Sequence, residues 1–352
     1  MFETYPENKE LTLIFQLFSE ELPIKYEIQN TSRSEIDFRE TIIAERKSGD
    51  KIVIKLSDND FTFPDKIGAW KKCAAEYRRL GYYCPAILYS RNGDFPLVEY
   101  KGHKCVAYAE EYSRYPIIER TDNTKESVEF REKFMDAAFA MTAKIAAERL
   151  SFTDYPSGYC LFDRFCPSDA TDEVLEVATD WKKYADTLPD EFREQVNRIW
   201  QRWTDNRREL EKIYRKLPTS VFQADLNSSN ILLDESGKFV GVIDFNLCGR
   251  DVLLNYLFRE VYWYADSESE LQYILRILSK VRKYYSFSDI EKQAAPLLYR
   301  CIKPLWHTAV DRLKAAGSNS QAVKSCLDDT ECIQTRTIDF ANYMKNGQTG
   351  IE

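Results

Sequence analysis

The spacing of apolar residues changes once along the chain. Up to about residue 108 they come in short runs, many of them alternating; from residue 124 they recur every three to four positions over long spans. Alternation marks half-buried strands and the longer period marks amphipathic helices. Bunched apolar residues over 11–22 predict a short opening helix, ended by Pro23 because proline disfavours helical backbone at the residue before it. Strands are predicted over 24–28, 36–44 and 51–56, with Lys47-Ser48-Gly49-Asp50 turning between the last two. Ile67, Trp70, Cys73, Ala74, Tyr77 and Leu80 repeat at helical spacing over 64–80, and Gly81 fits the stop. Further strands fall at 86–90, 95–100 and 104–108.

Beyond a junction at 109–116 the pattern is helical over 124–150, 171–188 and 190–217, where Pro218 stops it. One β-hairpin interrupts this half: an apolar entry at Val221, a polar loop, an apolar exit through Ile231-Leu232-Leu233, a Gly237 turn, and a second apolar run from Phe239 to Phe245. Helices follow over 253–265, 268–285, 288–316 and 320–345. Strands first and helices afterwards predict an α+β chain of two parts, residues 1–112 and 113–352.

Composition narrows the function. The 352 residues suffice for one large or two medium cores, and 44% hydrophobic residues argue for a folded chain. A net charge of -8 makes nucleic acid or an anionic membrane a poor partner. It tolerates a cationic small molecule. Nine scattered cysteines with no CxxC pair read as reduced thiols of a cytoplasmic protein. Only His103 and His307 are present, which disfavours zinc or histidine-based catalysis. The polar opening 1–9 gives no leader pattern, no run is long enough to span a bilayer, and no Gly-x-x-x-x-Gly-Lys-Ser/Thr loop appears.

Three polar residues edge the hairpin: Asp225, Asn230 and Asp244. A carboxylate can orient a hydroxyl and accept its proton, and an amide oxygen with a second carboxylate can hold Mg²⁺ against nucleotide phosphates. Asp followed five residues later by Asn is expected about once by chance in a chain of this length, so the flanking strands carry the signal. Lys55 lies in the apolar run Val53-Ile54-Lys55-Leu56, on the same strand face as Lys51.

The segment Gln223-Ala224-Asp225-Leu226-Asn227-Ser228-Ser229-Asn230-Ile231-Leu232, followed by Ile243-Asp244-Phe245-Asn246, resembles the aminoglycoside phosphotransferase and choline kinase-like family. That family shows His-Gly-Asp-Leu-His-x-x-Asn-Ile-Leu and then Ile-Asp-Phe-Gly. The resemblance implies a two-lobed, protein-kinase-like fold, with a small antiparallel sheet and one helix in the N-lobe and a larger, mainly helical C-lobe. It implies Asp225 as catalytic base, Asn230 and Asp244 as ligands of Mg²⁺, and Lys55 on the phosphates of ATP or GTP, paired with Glu76 of the following helix. It places a phosphate-covering turn at Asn30-Thr31-Ser32-Arg33-Ser34, where Ser32 and Ser34 would present hydroxyls and backbone N–H groups. It also makes 108–112 the adenine-binding hinge, with Glu110 and Tyr112 as cofactor contacts. The acceptor would be a small hydroxylated molecule such as an amino-sugar, amino-alcohol or sugar. Acidic stretches at 266–270 and 328–331 and the aromatic residues Tyr262, Trp263, Tyr264 and Trp306 are candidates to meet it, with solvated faces and core packing as the competing readings. Gln223, Ala224, Asn227 and Asn246 depart from the family pattern, so a nucleotide-binding protein with weak or no catalysis stays open.

Overall fold

In a computed structural model the described residues are 3–4, 8–34, 36–118, 124–264 and 266–345. The outer ends of the two expected parts, residues 1 and 352, and most of the polar opening lie outside them. The first part runs β1 (Glu3–Thr4), α1 (Lys9–Phe18), β2 (Lys25–Asn30), β3 (Phe38–Glu45), β4 (Lys51–Asp58), α2 (Pro64–Arg79), β5 (Ile87–Leu88), β6 (Leu97–Tyr100) and β7 (His103–Glu111). All its strand pairs are antiparallel, in the order β1-β2-β3-β4-β7-β5, with β6 also on β7.

Alternation gives this sheet two unlike faces. Ile42, Ala44, Ile52, Ile54, Leu56, Ala107 and Ala109 form one cluster with Leu11, Ile14, Phe15 and Phe18 of α1. The expected opening helix therefore closes the outer face, in addition to the one helix the lobe was expected to carry. The opposite face holds Thr41, Val53, Lys55, Tyr108 and Glu110, in register across three strands. It turns toward the second part of the chain.

That part contains α3 (Lys125–Ala147), α4 (Glu173–Ala185), α5 (Asp190–Tyr214), β8 (Thr219–Phe222), β9 (Ile231–Leu233), β10 (Phe239–Val242), β11 (Gly249–Val252), α6 (Leu253–Arg259), α7 (Ser267–Val281), α8 (Asp289–Ile302), α9 (His307–Ala316), α10 (Ser320–Thr335) and α11 (Phe340–Met344). β9 and β10 form the predicted hairpin, while β8 pairs with the more distant β11. One hydrophobic core joins these helices to the buried face of α2. The Tyr77 hydroxyl of α2 accepts the Gln223 backbone N–H at 3.0 Å. Just after α2, Tyr83 exchanges backbone bonds with Val240 and Val242 of β10 at 2.9 and 3.1 Å. Gly241 permits this approach, because a Cβ there would lie 1.7 Å from the Tyr83 carbonyl oxygen. The nine cysteines are free thiols, and no helix among the described residues is long and apolar enough to cross a membrane.

Candidate active site

Strand β8 ends in a buried turn that puts Ala224 in the left-handed region at φ 71°, a conformation that favours glycine. The Arg259 guanidinium holds this turn, donating to the Ala224 carbonyl at 2.9 Å. Asp225 follows, buried, with its carboxylate anchored by Asn227, whose Nδ2 donates to both oxygens at 2.9 and 3.0 Å. The Asn227 side chain also accepts from Ser229 N–H and so starts the single 3-10 turn Ser228–Asn230. This turn brings Asn230 back beneath Asp225, where its Nδ2 donates to the Asp225 carbonyl at 3.3 Å. With its nitrogen held there, the amide oxygen is the group left for a cation.

Asp244 reaches the same place from β10. Its φ of 58° is again left-handed, and the Ile243 N–H donates to the Asn230 carbonyl at 2.9 Å. Gln223 ties the two loops together. Fully buried, it donates from Nε2 to the carbonyls of Ile243 (2.9 Å) and Asp244 (2.7 Å), and its Oε1 accepts from Asp225 N–H (2.9 Å) and the Tyr256 hydroxyl (3.2 Å). Asn246 donates to Asp244 Oδ2 at 3.2 Å. Two of the four departures from the family pattern, Gln223 and Asn227, are thus the residues that orient Asp225.

Lys55 bridges from the sheet, with Nζ 3.4 Å from Asp244 and 3.2 Å from Glu110. Burial works against its charge, but the Asp244 and Glu110 carboxylates outweigh that and hold the ammonium well above its ordinary pKa. The expected pair with Glu76 does not form. Glu76 binds Arg79 one turn on, at 2.8 Å, and Arg79 also reaches Glu148. The buried stripe of α2 passes through Trp70, Cys73, Ala74 and Tyr77, and Glu76 lies off it.

The expected hinge also shifts. Strand β7 continues to Glu111, so Tyr108 and Glu110 are strand residues with side chains on the cleft face, and the connecting segment starts at Tyr112. Tyr112 is exposed, with Lys51 Nζ 4.9 Å from its ring centroid. In the 30–34 turn the Ser32 hydroxyl is engaged with the Arg39 backbone, accepting its N–H at 2.9 Å, and Ser34 is exposed. Thr31, not Ser32 or Ser34, lines the cavity beside Lys55, together with Thr41, Trp70, Tyr108, Asp244 and Asn246.

A second cavity, of about 260 Å³, opens at Asp225. Its wall includes Tyr159, Glu173, Glu260, Tyr262, Trp306 and His307. Burial raises the Asp225 carboxyl above the usual range, against the pull of Arg259 and of the Asn227 bonds. It pushes Glu260 further, to about 7, although Arg259 and the Leu226 N–H favour its charged form. One oxygen of Glu173 meets His307 at 3.1 Å, and the other is buried without a hydrogen-bond partner. The acids of this wall are therefore not those the sequence nominated. Asp266 caps α7, Glu268 meets Arg336, and Glu270 meets buried Lys303 at 2.7 Å. Asp328, Asp329 and Glu331 pair with Lys324, Arg312 and Arg202. Of the nominated aromatics, Tyr262 and Trp306 reach the cavity, whereas Trp263 is packed in the core. Sequence reasoning missed Arg259 and Glu260; the signal was a charged pair in the otherwise largely apolar run 253–265, where it closes α6.

The profile of the phosphotransferase enzyme family, APH, matches residues 73–255. No curated protein matches the chain in sequence. Among solved structures, amicoumacin kinase hAmiN in complex with AMP-PNP, Ca²⁺ and Ami aligns at TM-score 0.56 and 13% identity, covering 96% of this chain and 97% of that one. A microcompartment-associated aminopropanol kinase aligns at 0.55 and 13%, covering 92% and 94%. An aminoglycoside phosphotransferase from Alicyclobacillus acidocaldarius aligns at 0.51 and 11%, covering 97% and 96%. At these identities the likeness speaks for the kinase-like fold.

Proposed function

The chain belongs to the phosphotransferase enzyme family, and from that premise we propose that it transfers the γ-phosphoryl group of ATP or GTP to a hydroxyl of a small molecule. The observation that carries this reading is the contact of Lys55 with Asp244, 189 positions apart in sequence, beside an Asp225 tied to the same loop through Gln223. Phosphoryl transfer needs positioning and charge more than covalent chemistry from the protein. Lys55 would steady the phosphates. Asn230 and Asp244 offer the hard oxygen donors Mg²⁺ prefers, and two protein ligands leave room for phosphate and water in an octahedral shell. What Mg²⁺ supplies when bound is neutralisation of charge across the phosphates. Asp225 would orient the acceptor hydroxyl and take its proton, helped by the raised affinity for protons that burial gives it.

The segment from Tyr112 is proposed to meet the purine through its backbone, and the turn holding Ser32 and Ser34 to approach the phosphates with N–H groups. We place the division between the lobes at residues 112 and 113. The cavity at Asp225 would take the acceptor; Glu173 and Glu260 and the rings of Tyr159, Tyr262 and Trp306 suit a hydroxylated amine. The free thiols fit a reducing, cytoplasmic setting.

The test is ATP turnover with a panel of amino-sugars, choline, amino-alcohols and homoserine, read by ³¹P NMR. Turnover that survives in both Asp225→Ala and Asp244→Ala defeats the assignment. A second reading, nucleotide binding without transfer, is favoured by one observation: Asn227 already occupies both oxygens of Asp225. A carboxylate has about four lone-pair sites, so Asn227 and a substrate hydroxyl can share it.

A further inference from the structure

We infer that Glu110, in place of Glu76, is the carboxylate that positions Lys55 for the nucleotide phosphates; this rests on the phosphotransfer reading above. In β4 and β7 the Cα partners are Lys55 with Tyr108 and Val53 with Glu110. Side chains two apart on one strand share a face, so Lys55 and Glu110 stand diagonally on the cleft side of neighbouring strands. Their charged atoms are 3.2 Å apart, with 19% and 11% of the two side chains exposed. The nearby Glu45, on the same face, is taken by Lys25 and Lys51. Helix α2 offers no rival. Six residues at roughly 100° each put Glu76 about 120° around the helix from Trp70. Trp70 is the α2 residue that lines the cavity with Lys55, and its ring stands 6.0 Å from that of Tyr108.

An ammonium has three donors on a flexible stem. Glu110 and Asp244 engage it from two sides, which fixes its direction and leaves capacity for a phosphate oxygen. With Glu110 neutralised, Asp244 becomes the only carboxylate contact of Lys55 among the described residues. The ammonium is then drawn toward the residue proposed to serve the metal and away from the phosphates. Glu110 acts through Lys55, so it is a positioning residue.

The experiment compares Glu110→Gln, Glu76→Gln, Lys55→Met and the double variant Lys55→Met/Glu110→Gln. It reads the Kd of AMP-PNP with and without Mg²⁺ by calorimetry, and melting temperature as a control. Glu110→Gln keeps the shape of the side chain, so its melting temperature is expected to stay within about 2 °C of wild type. Its Kd for AMP-PNP with Mg²⁺ is expected to rise about tenfold, about 1.4 kcal/mol. Glu76→Gln is expected to bind as wild type does, and the double variant to bind no worse than Lys55→Met, because coupled residues are not additive. Unchanged affinity in Glu110→Gln, lost affinity in Glu76→Gln, or additive losses in the double variant each overturn the role of Glu110 alone. A wild-type protein that binds no AMP-PNP under either condition overturns the phosphotransfer reading and this inference with it.

Discussion

Replacing Gln223 tests whether the two loops of the site are held by one side chain. Gln223→Ala removes four hydrogen bonds, of 2.7 to 3.2 Å, from a position with no solvent access. It leaves two backbone carbonyls, one N–H and the Tyr256 hydroxyl without that partner. At about 1 kcal/mol net for each bond, the loss is about 4 kcal/mol, before any cost of leaving the partners unpaired. For a chain of 352 residues, an unfolding entropy near 2.1 cal/mol/K per residue converts this to a fall of about 5 °C in Tm. The kinetic effect should be larger than the stability effect suggests, since a shift of about 1 Å between Asp225 and Asp244 can cost about 100-fold in rate. Gln223→His retains one donor and one acceptor and should recover roughly half of the stability and most of the rate. The assay is differential scanning fluorimetry beside steady-state phosphoryl transfer. If Gln223→Ala melts within about 1 °C of wild type with unchanged kcat, the strap is incidental and the reasoning fails.

Three other expectations are independent of this one. Gly241→Ala forces apart the backbones of Tyr83 and β10, and should cost about 3 kcal/mol in urea denaturation; the turn variant Gly237→Ala should cost nearer ~1 kcal/mol, and equal losses would refute the close-approach account. Glu260 is pushed up to about 7 by burial, so the folded protein holds a proton that the unfolded chain loses from about pH 4.5. Its contribution to stability is complete below that pH and lost as pH rises through 7. Glu260→Gln should therefore be more stable than wild type at pH 8, by up to about 3 kcal/mol, and lose that advantage by about pH 4; a constant difference across this range would be the contrary result. Asn227→Ala removes both side-chain bonds to the Asp225 carboxylate, leaving it, among the described residues, only the backbone N–H of residue 227, and should lower kcat by about tenfold with little change in nucleotide affinity. A rise in kcat would mean that Asn227 restrains catalysis.

Local patterns carried most of what was legible. The alternation in β3 and β4, the stripe of α2 and the hairpin around Gly237 each rest on neighbours in sequence, and the structure places them within a few residues of expectation. The grouping of Asp225, Asn230 and Asp244 was also readable, because one hairpin brings them together. What escaped depends on contacts far apart in the chain. Glu110 reads as a hinge residue until the pairing of β7 with β4 is known, since that register alone sets it beside Lys55. Glu76 could have been set aside earlier, because it falls off the apolar stripe of its own helix. The left-handed backbone at Ala224 was hidden by an alanine standing where glycine is expected, and Arg259, 35 positions away, supports it. Acids near the site were sought in runs of charge, whereas Glu173 and Glu260, which line the cavity at Asp225, come from distant parts of the chain. Gly241, inside an apolar strand, was the readable sign of a close backbone approach.

The attachment of α2 links the sheet to the second part of the chain. Tyr77 and Tyr83 fasten the end of that helix to the chain around Gln223 and Val240, which ties α2 to the second part of the chain. The same helix also packs on the sheet, with Trp70 against Tyr108 and the Lys71 ammonium on the Ile87 carbonyl, so α2 is the joint between the two parts. Lys55 and Glu110 belong to adjacent strands of one sheet, so their pairing depends on the β4–β7 register alone and not on where the helix sits.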